Sequence, residues 1–357
     1  MFRKKTIRDI DVQGKVVLVR VDYNVPMRDG RVAEDMRIRA SLPTLNYLLD
    51  HGAKKLILIS HLGRPKGEVN PEFSLAPVAE ALDTLLPNHT VNFVDAFVGD
   101  KVRDAVDNLS ESGILLLENL RFSPLEEENS RELAQAIIED TRAELFVQDG
   151  FAVIHRAHAS TDAIAHVLPA VAGFLVENEV TKLEQTLDNP EHPLLVIIGG
   201  AKVADKEPLI ERFLPLADQI AVGGKIAADG YTASSDKIYV ANDFRENDLG
   251  AKLDIGPNST DTIVSFIQNA KTIVWNGALG LVEEAPFAKS SRAVAEAMGS
   301  SGAFTIIGGG DTAAFVQQVL RDNSNLQYSL ISTGGGASLE LLSGKKLPGL
   351  EILQDRN

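Results

Sequence analysis

The sequence predicts two doubly wound α/β domains, each a parallel sheet with helices on both faces. Three observations support this. The chain has 357 residues, about twice the size of one ordinary domain. Short apolar runs rich in β-branched residues alternate with stretches of helical spacing, the pattern of successive βαβ units. A polar or glycine turn follows each apolar run, and in open α/β sheets ligands bind beyond the carboxyl ends of the strands.

In chain order, the first half carries apolar runs at 16–21 (VVLVRV), 55–60 (KLILIS), 114–117 (ILLL) and 145–147 (LFV). The second carries Leu194–Ile198 (LLVII), Gln219–Val222 (QIAV), 272–275 (TIVW) and 304–307 (FTII). Each reads as a buried strand, and parallel strands covered on both faces read as near-continuous hydrophobic runs. Helical spacing lies between them, as at 42–49, 75–86 and 131–138. The two groups of strands are separated by Phe174–Asp188 (FLVENEVTKLEQTLD), a polar amphipathic helix followed by Asn189-Pro190. The expected division is a first domain at 1–172, a hinge helix at 173–189 and a second domain at 190–345. No internal repeat and no low-complexity segment interrupts it.

Composition narrows the function. Hydrophobic residues make up 44% and charged residues 24%, ordinary for a packed globular protein. The 50 acidic residues outweigh the 35 basic ones, for a formal net charge of -15. Such a chain is a poor partner for nucleic acid or anionic membrane. An anionic substrate would therefore need a locally basic pocket. The absence of cysteine excludes disulfides and thiol chemistry and suits a reducing cytoplasm. The opening MFRKKTIRDIDVQGK has no apolar stretch behind it and does not read as a secretory signal. The most apolar long segment, 163–176, contains His166 and Pro169 and is too short to span a bilayer.

The basic pocket is legible in the first half. Asp22-Tyr23-Asn24 follows the first run, His61-Leu62-Gly63-Arg64 the second, Arg121 the third, and His155-Arg156-Ala157-His158 the fourth. Arg37 follows a turn built on Asp29-Gly30. Arg37, His61, Arg64, Arg121 and Arg156 are thus expected at one edge of the sheet. The planar fork of arginine suits phosphate and carboxylate oxygens, and Asp22 and Asn24 suit a hydroxyl. A single strand-end arginine is as easily a surface ion pair; several at consecutive strand ends of an acidic protein are not. His155 and His158 have no third ligand nearby and read as structural or substrate-side rather than metal-binding.

The second half offers glycine loops that open helices, where backbone N–H groups can approach phosphates. Gly199-Gly200-Ala201-Lys202 follows LLVII, and Lys202 and Lys206 are expected on one helical face. This is not the Walker pattern, which requires Gly-Lys-Ser/Thr. Gly308-Gly309-Gly310-Asp311-Thr312 follows FTII, and Gly334-Gly335-Gly336 opens another helix. Asp311 is placed either to hold Mg2+ between nucleotide phosphates or to cap its helix. Together with Gly223-Gly224 and Asn276-Gly277, these loops indicate a polyphosphate ligand. No Gly-x-Gly-x-x-Gly opens either half, which disfavours a dinucleotide oxidoreductase.

VRVDYNVP, SHLGRPKG, LLENLRF, HRAHAS, GGAKVADK, DIGP, VWNG, IIGGGDTAA and STGGGASLELLSGKKLPG together resemble the phosphoglycerate kinases, from about Val16 to the C-terminal GKKLPGL. The resemblance implies two Rossmann-like domains closing on a hinge and a tail, 346–357, returning to the first. It implies reversible phosphoryl transfer between 1,3-bisphosphoglycerate and ADP, giving 3-phosphoglycerate and ATP, by a cytoplasmic monomer. Asp22, Tyr23, Asn24, Arg37, His61, Leu62, Gly63, Arg64, Arg121 and Arg156 would bind phosphoglycerate. Lys206, Gly223, Gly224, Glu283, Gly309, Gly310, Asp311 and Thr312 would bind the nucleotide, with Asp311 on Mg2+. Lys202, Arg37 and the amides at Gly335 and Gly336 would surround the transferring group.

Several positions depart from that family's pattern. Asp149-Gly150-Phe151-Ala152-Val153-Ile154 replaces Asp-Ala-Phe-Gly-Thr-Ala; Ala278 stands where a proline follows Asn-Gly; Leu330 replaces a histidine; Lys225 follows Gly-Gly. The stretch between Gly224 and Asp254 is short and is expected to lack a helix and loop beside the adenine. Two other readings compete: a non-catalytic sensor of nucleotide or phosphoglycerate, and a phosphotransferase acting on another small acid.

Overall fold

The computed structural model describes residues 2–356. It divides into two compact units, Met1–Asn178 with Lys346–Asn357, and Glu179–Lys345. The boundary falls within the helix Phe174–Asp188.

The first unit is built on a six-stranded sheet. Its strands are β1 (Val16–Arg20), β4 (Lys55–Ile59), β5 (Val91–Val94), β6 (Gly113–Leu117), β7 (Leu145–Gln148) and β8 (Ala170–Ala172). A small hairpin pairs β2 (Met27–Arg28) with β3 (Arg31–Val32). The sheet order is β5-β6-β4-β1-β7-β8, parallel throughout. The second unit has its own six-stranded parallel sheet, ordered β11-β10-β9-β14-β15-β16. These strands are β9 (Leu194–Ile198), β10 (Gln219–Val222), β11 (Ile238–Val240), β14 (Thr272–Asn276), β15 (Phe304–Gly308) and β16 (Leu330–Ile331). A separate hairpin joins β12 (Phe244–Glu246) to β13 (Lys252–Ile255).

Numbered along the chain, the second sheet reads 3-2-1-4-5-6, the order of doubly wound nucleotide-binding domains. Its direction reverses between β9 and β14, and the first sheet reverses between β1 and β7. At such a switch point adjacent loops part and leave a crevice at the carboxyl edge.

The central strands are buried on both faces, which is why they read as unbroken apolar runs. In the first unit Val17, Val19, Leu56, Leu58, Ile114, Leu116, Leu145 and Val147 face one core cluster. The helix Met36–Asp50 covers it with Ile38, Leu45 and Leu48, and the helix Ala76–Leu85 with Val78 and Leu82. The alternate residues Leu18, Ile57, Leu115 and Phe146 are equally buried. In the second unit Leu195, Ile197, Ile273, Trp275 and Ile307 pack under the helices Pro257–Asn269, Lys289–Ser300 and Gly310–Asp322. Each such side chain contributes about 1.5–3 kcal/mol on burial.

The last segment belongs to the first unit. Gly349 N donates to Ile154 O (2.9 Å), Gln354 N to Ala170 O (3.0 Å) and Lys5 N to Gln354 O (2.7 Å). Between 229 and 237 the second unit has turns and bends but no helix, and β11 and the β12–β13 hairpin follow.

Candidate active site

The carboxyl edge of the second sheet holds a cavity of about 540 Å³. The loops after β9 and β14, on either side of the switch point, form its floor through Gly200–Lys202 and Asn276–Ala278. The loop after β15 adds Gly309, Gly310, Asp311 and Thr312, and the loop after β16 adds Gly335 and Gly336. Lys202, Lys206 and Glu283 also lie on its wall.

The strand ends are tied together. Lys206 Nζ donates to Asn276 Oδ1, and burial pulls its ammonium below the ordinary lysine value while Asp205 acts the other way. Gly277 N donates to Thr312 Oγ1 at 3.1 Å, and Trp275 Nε1 donates to Gly277 O at 2.8 Å. Gly277 has φ +97, and a Cβ there would lie 2.2 Å from Gly199 O, so only glycine fits this crossing. The turn that lacks a proline at Ala278 is thus held by hydrogen bonds, including Gly200 N to Ala278 O at 2.8 Å.

Lys202 and Lys206 both reach the cavity, but not by sharing a helical face. The helix Val203–Phe213 begins after Lys202, which is its N-cap in extended conformation. Asp311 occupies the first turn of Gly310–Asp322; the N-cap is Gly309, and no side-chain capping bond is made. Gly223 and Gly224 are absent from the cavity wall. They pack behind it: a Cβ on Gly223 would lie 2.7 Å from Leu279, and one on Gly224 2.7 Å from Ala278 O. Lys225, Lys252, Asn276, Leu281 and Val282 line the cavity without having been singled out as ligands. Asn276 carried a signal, since it is the polar end of an apolar run. Lys252 carried none, because its place depends on the β12–β13 hairpin.

At the first sheet, the strand-end residues also meet. Asp22 is buried and pairs with Arg37, the second residue of the helix Met36–Asp50. Asn24 Oδ1 accepts from Gly63 N at 2.8 Å, and Gly63 O accepts from Arg121 Nη1 at 2.9 Å. Gly63 has φ +62, and a Cβ there would strike the Phe73 ring at 2.4 Å. Arg121 Nε lies 3.3 Å from Glu127 Oε1. Its guanidinium is disfavoured first by burial and then by Arg156 and Arg64, while Glu127 and Glu126 favour it. His61 is buried, and burial, then Arg20, Arg121, Arg37 and His158, hold its pKa well below the usual histidine value. Arg64 and Arg156 are exposed, with Arg156 Nε 3.2 Å from His155 Nε2.

Two of the expected contacts differ in kind. The side chains of Tyr23 and Leu62 belong to the hydrophobic core. The Tyr23 hydroxyl pairs with Ser41 Oγ at 2.9 Å, and burial raises its pKa; only its backbone remains near the strand end. His158 is buried 3.8 Å from Glu126 Oε1, and burial, then Arg121, lowers its pKa to about 4. The sequence reading missed Arg20, because a single arginine inside VVLVRV was absorbed into the strand.

Comparison with known proteins gives a consistent result. The family model described as phosphoglycerate kinase matches residues 7–252 and 229–345. The chain is 42% identical to the phosphoglycerate kinase of Chloroflexus aggregans over 404 aligned positions, covering 99% of this chain and all of that protein. It is 43% identical over 405 positions to that of Chloroflexus aurantiacus, at the same coverage. Those alignments are longer than this chain, so the relatives carry segments without a counterpart here. Among solved structures, the fold is similar to the phosphoglycerate kinase of Coxiella burnetii (TM-score 0.78, 34% identity) and that of Pyrococcus horikoshii OT3 (TM-score 0.86, 28% identity). In each case 98% of both chains is covered.

Proposed function

The chain belongs to the phosphoglycerate kinase family, and from this we infer that it catalyses reversible phosphoryl transfer between 1,3-bisphosphoglycerate and ADP, giving 3-phosphoglycerate and ATP. The observation that carries the reading is the family match along nearly the whole chain. The cavity at the second switch point supports it, because glycine loops and lysines there suit a polyphosphate. The strand-end arginines of the first unit support a small phosphorylated acid. A non-catalytic sensor is not favoured: Arg37, Lys202 and Asp311 are all present.

The roles proposed for individual residues follow from charge and place. In the ATP-consuming direction the acceptor is a carboxylate, already ionised at neutral pH, so no general base is required. What remains is in-line positioning and cancellation of charge on the transferring group. Lys202 and the amides at Gly335 and Gly336 supply this from the nucleotide side, and Arg37 from the acid side. Lys206, Glu283 and the run Gly309–Thr312 hold the nucleotide. Asp22, Asn24, His61, Arg64, Arg121 and Arg156 hold phosphoglycerate. The substrates lie on different units in this proposal, so transfer requires that both be brought together and water be excluded.

Mg2+ fits the residues present. Asp311 is an exposed carboxylate on the cavity wall, which Thr312 also lines. Among the described residues, no group of three or more His, Asp or Glu could hold a metal by itself. Magnesium commonly uses one or two carboxylates plus substrate phosphates, and Asp311 would hold it in that way. Bound there, the ion would neutralise phosphate charge. A coupled assay for ATP formation from 1,3-bisphosphoglycerate and ADP tests the function; a purified, folded protein giving no ATP would overturn it. Fractionation of the host cell tests the cytoplasmic location expected from the absence of cysteine.

A further inference from the structure

Beneath the strand ends of the first unit lies a buried polar chain that the mechanism above does not use. Arg20, the last residue of β1, is 1% exposed. Its Nε donates to Ser160 Oγ at 2.8 Å, and its Nη1 donates to Val21 O and, at 3.4 Å, to Ser60 Oγ. Its Nη2 lies 3.0 Å from His61 Nδ1. Ser160 passes the contact on: its Oγ donates to Glu126 Oε1 at 2.6 Å and its amide to Glu126 Oε2 at 3.0 Å. Glu126 is fully buried. A buried guanidinium and a buried carboxylate are thus joined through one hydroxyl.

The contact with His61 has only one consistent protonation. A guanidinium has donors and no acceptor, and it stays charged in proteins. Nδ1 must therefore accept, and the ring's proton must sit on Nε2. Burial, then Arg20, Arg121 and Arg37, all oppose an imidazolium here, and Asp22 is paired with Arg37. Arg20 engages the ring through Nδ1, so Nε2–H is the ring's remaining donor.

We propose that Arg20 is a positioning residue: it holds His61 as the neutral Nε2–H tautomer, so that the ring offers one N–H donor to an oxygen of phosphoglycerate. This rests on the reading of His61 as a substrate-side residue, and it deepens that reading. A histidine among arginines would otherwise be counted as another cation. Here it is a neutral donor, and the permanent charge lies one layer below it, on Arg20.

The test uses the full-length protein. Nitrogen-15 NMR of His61 without substrate, between pH 6 and 8, should show a neutral ring protonated at Nε2 throughout. A ring protonated at Nδ1, or an imidazolium in that range, overturns the proposal without need of any variant. Arg20→Met alone would strand the Glu126 carboxylate, so the second arm uses R20M/E126Q. In that protein both tautomers should appear, and the KM for 3-phosphoglycerate should rise roughly tenfold while kcat changes much less. A mixed tautomer with unchanged KM overturns the substrate-facing role of His61. A single retained Nε2–H tautomer overturns the role of Arg20. Failure of the family reading is separately visible, because the unsubstituted protein would then form no ATP.

Discussion

The carboxyl group of Glu179 accepts from both the backbone amide (2.7 Å) and the hydroxyl (2.9 Å) of Thr333. Both residues are buried, and Thr333 immediately precedes the loop that carries Gly335 and Gly336. The helix Phe174–Asp188 therefore grips that loop through one side chain. At its start, Asp149 Oδ1 accepts from Leu175 N at 2.9 Å.

Among the described residues, each of these two carboxyl groups keeps one buried oxygen without a hydrogen-bond partner, Asp149 Oδ2 and Glu179 Oε2. Burial pushes Glu179 up to about 7 and Asp149 up to about 8. Below the unfolded values both states carry the proton. Between the unfolded and folded values only the folded protein holds it, so stability is lost as pH rises through that window, from about 4 to about 8. Calorimetry across this range should show a falling transition temperature. The D149N/E179Q variant, neutral at every pH, should show a flatter profile; an unchanged slope would locate the effect elsewhere.

Lys202→Ala should lower kcat about a hundredfold or more and move either KM far less, because its charge is proposed to meet the transition state. Lys202 is exposed and makes no capping bond from its side chain, so the thermal transition should stay in place. Steady-state kinetics in both directions, with kcat within a few-fold of the parent, would sink the assignment.

For Asp311→Asn the expected outcome is loss of activity and a weakened Mg2+ dependence at unchanged stability. An amide is a poor ligand for a hard cation, and the structure shows no capping bond for the substitution to break. The check is a magnesium titration of initial rate beside a melting curve. Identical titrations would remove the metal role.

Arg64 and Arg121 should separate binding from folding. Arg64 is exposed, so Arg64→Ala should raise the KM for phosphoglycerate about tenfold at constant stability. Arg121 is buried and donates to Gly63 O, so Arg121→Ala should raise the same KM and also cost about 1–3 kcal/mol through the orphaned carbonyl. The KM for ADP should hold in both. Equal loss of both substrates would place these arginines wrongly.

The pattern of what could be read from sequence has a physical origin. The expected strands are the four at the centre of each sheet, from β6 to β7 and from β10 to β15. The unread ones, β5, β8, β11 and β16, are the edges. An edge strand pairs on one side only, and here each runs two to four residues, so no apolar run announces it. Val91–Val94 is mostly half-exposed, and Leu330–Ile331 is a single pair. The cavity was legible where a strand end carries its own lining residue, as at Lys202 and Asp311. It was hidden where tertiary folding brings a residue in, as at Lys225 and Lys252, or where a charge is buried within a strand, as at Arg20.

The tail that closes the first unit also sets an order of assembly. The second unit is one contiguous piece, Glu179–Lys345, and a nascent chain holds all of it once Lys345 has left the ribosome. The first unit starts earlier, yet Lys5, Ile154 and Ala170 wait for backbone partners in Gln354 and Gly349. What is synthesised first is completed last. A stalled chain ending at Lys345 would carry an intact second sheet and an unclosed first one, and the quality control of translation would meet the first unit, not the second, in its unfinished form.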